Sequence, residues 1–178
     1  MDRRKLLLWS LVCLLLGSAG GIHWRRRWKY ITIHHSAGTF GNISFLQKVH
    51  RQRQPSDPVD AIPYHFVIGN GNGMGLGEIA SDWRYEYGIW GAHVSGNNAD
   101  RNLRGIGICL IGNFEKQEVP KAQLDALVTL TRQLMKDFDI PAKNVTGHGY
   151  LPGESTRCPG NKFPMSWFMS EVARQQAG

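Results

Sequence analysis

Apolar and polar residues alternate from Trp28 to Ile33, and the isoleucines are β-branched, so this stretch predicts a strand ending at His34. Phe40-Gly-Asn-Ile-Ser44 reads as a turn in which Asn42 or Ser44 caps a helix running to about Arg53, where Gln54-Pro-Ser-Asp-Pro58 ends it. Tyr64-His-Phe-Val-Ile68 predicts a second strand. The glycine-dense run from Gly69 to Gly77 reads as a turn into a further strand at Glu78–Ala80. Gly105–Ile111 is almost continuously apolar, which suits a central strand buried on both faces. Pro120 opens the clearest helix. Leu124, Leu127, Val128, Leu130, Leu134 and Phe138 recur there at helical spacing until Asp139-Ile-Pro141 stops it. Val145-Thr-Gly-His148 is a short strand ending in a histidine, and Pro164 opens a last helix with Trp167, Phe168 and Val172 as its apolar stripe. Strands alternate with helices, so the expected class is α/β: a single domain with a central mixed β-sheet flanked by about three α-helices.

The N-terminus breaks this pattern. Met1-Asp-Arg-Arg-Lys5 is basic, Leu6 to Leu16 is apolar, and Gly17-Ser-Ala-Gly-Gly21 supplies small residues suited to cleavage after Ala19. That is the order of a secretory signal. The apolar run is shorter than the ~20 residues of a spanning helix, yet extending it to Ile22 makes an uncleaved membrane anchor an open alternative. The expectation is an exported protein, periplasmic or otherwise extracytoplasmic, with residues 1–27 as signal or anchor and 28–178 as the working domain. The leader also accounts for most of the charge. Residues 1–28 hold six basic residues against Asp2, which is +5 of the total +7. The body is nearly neutral, which argues against a nucleic-acid partner. Of the three cysteines, Cys13 lies in the leader, Cys109 sits in the apolar run, and Cys158 lies in a loop, so no disulfide framework is implied.

Candidate chemistry gathers at strand ends. His34 and His148 each follow a predicted strand, and ligands of open α/β sheets collect at the carboxyl ends of strands. Cys158 comes ten residues after His148, in a loop stiffened by Pro152 and Pro159 that can fold back on the strand end. Two imidazoles and a thiolate form a donor set that zinc accepts, with a fourth position left for water.

Five motifs occur in order along the body: Ile31-Thr-Ile-His-His-Ser-Ala37, Tyr64-His-Phe66, Gly91-Ala-His93, Gly105-Ile-Gly-Ile-Cys-Leu-Ile-Gly-Asn-Phe114 and Thr156-Arg-Cys-Pro-Gly160. Together they resemble the zinc N-acetylmuramoyl-L-alanine amidases, a family that includes phage lysis amidases and peptidoglycan recognition proteins. The resemblance covers about residues 28 to 175. It implies one catalytic Zn²⁺ held by His34, His148 and Cys158. Tyr64 matches the tyrosine that faces the reacting water and helps polarise the scissile carbonyl. Thr156 matches a position held by lysine in phage enzymes, where its hydroxyl would serve the oxyanion or substrate without lysine's charge. His93 and Asn98 match positions lining the peptide groove, Arg84 sits near an arginine that reads the stem peptide, and Glu78 matches an acidic position of no assigned role. The implied reaction is hydrolysis of the amide between N-acetylmuramic acid and L-alanine; the alternative is a peptidoglycan-binding module of the same fold without catalysis. Peptidoglycan or muropeptides are the implied partner, the implied state is a monomer, and a tether through the leader is possible. The cysteine ligand, where cytosolic recycling amidases of the superfamily carry aspartate, agrees with export.

The remaining chemistry-bearing residues have plainer readings. His35 and His65 follow residues of interest on extended chain and so face the other way, as packing or supporting groups. His23 and His50 read as solvated or loop residues. The glycine run lacks a Gly-Lys-Ser/Thr ending and reads as a hairpin rather than a nucleotide loop. Asn42 and Asn144 head chance Asn-x-Ser/Thr matches. Trp83, Tyr85, Tyr87 and Trp90 form either a sugar-stacking wall beside His93 or part of the core.

Overall fold

A computed structural model of the chain describes residues 27–57 and 60–174. The leader, including Cys13, therefore lies outside the described residues except for Arg27. Five strands form one sheet: β1 (Tyr30–His35), β2 (Phe66–Ile68), β3 (Ile79–Ser81), β4 (Gly105–Leu110) and β5 (Val145–Gly147), in the order β3-β2-β4-β1-β5. β2, β4, β1 and β5 run parallel, and β3 pairs antiparallel with β2 through the glycine-rich hairpin. The sheet is thus mixed, and the apolar β4 lies at its centre with every residue buried.

Period-two alternation divides the sheet into two faces. Ile31, Ile33, Ile106, Ile108 and Leu110 point to one face and meet two long helices, α4 (Lys121–Phe138) and α5 (Met165–Arg174), in the main core with Trp28, Phe114 and Phe168. α4 ends at Asp139, whose left-handed backbone (φ 54°) turns the chain out of the helix. The stripe of α5 is Met165, Phe168, Met169 and Val172, spaced i, i+3, i+4 and i+7. Trp167 lies off that stripe and is 40% exposed, contrary to the sequence expectation. The other face is covered by α1 (Ile43–Arg53), which starts at Asn42, the side chain of which accepts from Phe45 N–H at 2.9 Å. Leu46 of α1 packs on Val67, Ile62 and Ile111 in a smaller core, and the rest of this face is left for polar groups. Two short helices were not legible in the periodicity, α2 (Trp83–Glu86) and α3 (Ala99–Arg104), so among the described residues five α-helices flank the sheet rather than about three.

A buried ion-pair cluster closes the end of α1. His50 and Arg84 both hydrogen-bond Asp57 Oδ2, and Arg84 also donates to the carbonyls of Ile62 and Trp90, at 2.7 and 2.5 Å. Its guanidinium lies 5.4 Å from the Trp90 ring centroid. His50 is therefore buried rather than solvated, and Arg84 is 0% exposed. This corrects the expectation that Arg84 reads substrate: its donors are turned inward and join Asp57 and Ile62 to the segment that carries α2 and Trp90. The aromatic wall divides in the same way. Tyr85 packs on Phe66 and Phe138 in the core, Trp90 lies against Arg84, and Trp83 and Tyr87 form an exposed edge-on pair.

Removing one partner of a buried ion pair leaves the other charge uncompensated, at a cost of about 3–5 kcal/mol. Arg84→Ala is expected to destabilise the fold by that order, measured by urea denaturation. An unchanged midpoint would return Arg84 to the surface role assigned from sequence.

Candidate metal centre

The sheet itself brings the two histidines together. β1 pairs with β5 in parallel register, Ile33 opposite Gly147, so the next residues, His34 and His148, emerge side by side at the carboxyl ends of neighbouring strands. Their ring centroids lie 4.8 Å apart. Alternation sends Ile33 into the main core and His34 to the α1 face. The third group arrives by a backbone contact: Gly149 N–H donates to the Cys158 carbonyl at 2.6 Å. A Cβ at Gly149 would sit 2.4 Å from the Thr156 carbonyl oxygen, so only glycine lets the loop close this tightly. Cys158 Sγ then lies 3.7 Å from His34 Nδ1, and one donor atom from each of His34, His148 and Cys158 falls within 4.8 Å of the others. This group can hold a metal ion.

The protonation state of His34 suits that use, whereas Cys158 must lose a proton to serve. Burial, with His93, His148 and His35 nearby, holds the His34 pKa well below the ordinary imidazole value, so the ring is neutral. Burial pushes the Cys158 thiol up to about 12, against the lowering effect of the His35 backbone N–H, which donates to its sulfur at 3.4 Å. Each imidazole is also held on its far side. His34 Nε2 meets His93 Nδ1 at 3.1 Å, and His148 Nε2 meets Glu154 Oε2 at 3.0 Å.

Of the other residues expected here, His35 turns away, its Nδ1 accepting from Phe114 N–H at 3.1 Å. His65 is fixed between Gly107 N–H and the Ile89 carbonyl. Tyr64 does line the cleft, its ring 5.0 Å from that of His34. Burial and the neighbouring Cys109 raise its pKa well above the usual phenol value, and its hydroxyl hydrogen-bonds the Cys109 side chain. The Thr156 hydroxyl accepts from Cys158 N–H at 3.1 Å and so braces the ligand loop. His93 lines the cleft but is only 5% exposed and leans on His34. Asn98 gives its amide to Glu154 and the Pro152 carbonyl rather than to the groove. Glu78 caps the hairpin, accepting from Gly75 N–H.

The cleft measures about 220 Å³ and runs from His34, His148 and Cys158 along α1 to Val49, Arg53 and Gln54. Sequence reasoning missed Glu154, Cys109 and Arg53. Cys109 was traceable in principle, since it lies directly opposite His34 in the β1–β4 register. Glu154 carried no signal apart from its place between two candidate ligands.

The N-acetylmuramoyl-L-alanine amidase family model matches residues 24–161. Peptidoglycan-recognition protein SC2 of Drosophila melanogaster is 28% identical over 142 residues, 75% of this chain and 69% of the relative. Among solved structures, N-acetylmuramoyl-L-alanine amidase LysC from Clostridium intestinale superposes with a TM-score of 0.67 at 27% identity, covering 86% of this chain and 88% of that one. Drosophila PGRP-LB superposes at 0.57 with 25% identity, covering 82% and 79%, and a PGRP-LB variant has been solved in complex with tracheal cytotoxin. With the family match spanning most of the body and the ligand group assembled inside it, the chain belongs to the N-acetylmuramoyl-L-alanine amidase family.

Proposed function

We propose that the protein is a zinc-dependent hydrolase of peptidoglycan that cleaves the amide between the lactyl group of N-acetylmuramic acid and L-alanine. The observation that carries this is the convergence of His34, His148 and Cys158 at the end of a cleft lined by Tyr64. The donors fit zinc: at its bond lengths of roughly 2.0–2.3 Å, tetrahedral nitrogen and sulfur ligands lie about 3.5 Å apart, and the His34 and Cys158 donors are 3.7 Å apart already. A zinc ion held there supplies an acidified water and a Lewis acid for the carbonyl.

The chain's own groups do the rest. Tyr64 stays protonated, so it is a hydrogen-bond donor, and serving the carbonyl oxygen requires its hydroxyl to exchange Cys109 for substrate. Thr156 accepts from Cys158 N–H and keeps its own proton to donate to a substrate oxygen. The cleft wall carries Arg53 and no carboxylate, and among the described residues Arg53 has no salt-bridge partner. A stem peptide bears carboxylates, and Arg53 is placed to receive one. This reading is of an exported enzyme acting outside the cytoplasm, as the leader suggests.

Purified protein incubated with peptidoglycan should release L-alanine amino termini and contain about one zinc per chain. Cys158→Ala, or a strong chelator, should reduce release to background. Binding of peptidoglycan with no release would make the protein a recognition module instead. Tyr64→Phe should retain zinc and lose about 10²–10³-fold in turnover, the usual cost of one oxyanion donor. Arg53→Ala should raise KM about 10–100-fold with kcat preserved, since a hydrogen bond to a charged group is worth about 1.5–3 kcal/mol.

Metal binding should also depend on pH. The thiol titrates near 12 without metal, and binding requires the thiolate, so a proton leaves as the ion enters. Below 12 that release favours binding as pH rises. Apparent zinc affinity should climb about tenfold per pH unit between roughly 7.5 and 9, read by competition with a chromophoric chelator. A flat profile would remove Cys158 from the ligand set.

A further inference from the structure

The segment from His93 to Asn98 is turned toward the metal centre from behind. Asn102 of α3 fastens it, its Oδ1 accepting from His93 N–H and Val94 N–H at 2.9 and 3.1 Å and its amide donating to the Val94 carbonyl at 2.8 Å. From this braced segment His93 reaches His34. Its other end reaches Glu154, which stands in the loop between His148 and Cys158 with a side chain 5% exposed. Glu154 Oε1 accepts three hydrogen bonds, from Ser95 N–H at 3.0 Å, Ser95 Oγ–H at 2.8 Å and Asn98 Nδ2–H at 2.8 Å. That leaves Oε2 for His148 Nε2 at 3.0 Å. Asn98 is itself held by the Pro152 carbonyl at 3.0 Å, which ties the segment to the ligand loop a second time.

An ionised carboxylate only accepts, so the His148 nitrogen facing it must carry the proton. The other nitrogen, Nδ1, then keeps its lone pair free for a metal. We infer that Glu154 is the positioning residue of this centre: braced by Ser95 and Asn98, it fixes the tautomer and ring orientation in which His148 presents Nδ1 to a metal. Asn98, expected in the groove, and the overlooked Glu154 thus serve His148 from behind. The inference rests on the reading of His34, His148 and Cys158 as a metal site.

Glu154→Gln separates positioning from mere filling of space. Glutamine keeps the volume but offers one oxygen to four donors, so one of them faces an amide N–H₂. The full-length protein would be labelled for histidine ¹⁵N NMR without metal and titrated with Zn²⁺ and Co²⁺. In the wild type, His148 should be the Nε2–H tautomer, and in Glu154→Gln that preference should be lost. Zinc affinity should fall about 10–100-fold, as for other supporting partners of metal-bound histidines, and the Co²⁺ visible bands should shift, while the unfolding midpoint of the metal-free protein changes little. Asn98→Ala, which removes one brace and leaves the carboxylate, should give a smaller loss in the same direction and carries the test if the glutamine variant does not fold. An Nδ1–H tautomer in the wild type, or wild-type affinity and tautomer in both variants, would overturn the inference. His148→Ala serves as the control: if it binds zinc as well as the wild type, the metal-site reading fails and takes the inference with it, whereas loss of zinc there with none in the Glu154 variants defeats the inference alone.

Discussion

The parallel register of β1 against β5 is the constraint on which the centre depends. Ile33 lies opposite Gly147, and this alone makes His34 and His148 neighbours. Were the pairing shifted by one residue, every side chain of β5 would change face, and His148 would leave the α1 side. The register is held by burial: Ile31 and Ile33 are wholly inaccessible and Val145 nearly so, which fixes which face of each strand is apolar. The hydrophobic effect thus places the ligands, although none of them is an ordinary hydrophobic residue.

With the ligands placed, burial becomes a difficulty that the surrounding loops answer. A buried polar group without a partner costs roughly 1–3 kcal/mol, and this face of the sheet carries several. His65 is satisfied by Gly107 and Ile89, His50 of α1 by Asp57, and His34 and His148 by His93 and Glu154; His35, on the opposite face, is satisfied by Phe114. The smaller core beneath α1 is accordingly more polar than its counterpart beneath α4, and its side chains are specified by direction as well as by volume. His93 can lie where it does because Gly107 and Gly91 have no Cβ to meet it; a Cβ at either would come within 2.8 Å of its ring.

This division explains what the sequence disclosed. The alternation in β1, the apolar run of β4 and the long stripe of α4 each obey a local period, and each element was legible within a residue or two. The grouping of His34, His148 and Cys158 was legible because the two histidines sit where strands end and the cysteine lies in a loop that can fold back on them. Arg84 and Asn98 were read as groove residues, yet their polar atoms turn inward, whereas His93 lines the cleft as expected while leaning on His34. Nothing local distinguishes the two outcomes, since all three lie on loops or short helices whose direction is set by partners far along the chain: Asp57 for Arg84, His34 for His93 and Glu154 for Asn98. His50 was misread for the same reason, its partner lying beyond the end of its helix. Trp167 failed differently, since hydrophobicity was counted without regard to angle around α5.

The strand order carries a consequence for how the chain comes together. Among the described residues β1 is the first strand in the sequence and yet lies inside the sheet, flanked by the two strands that come last. During synthesis it must wait, with both hydrogen-bonding edges bare, until nearly the whole body has emerged, and such long-range parallel pairing is slow and exposed to misassociation. The centre at its end can exist only when first and last strands have met. A bound metal there would cross-link the first and last strands of the described residues, acting as a latch that registers the completion of the sheet.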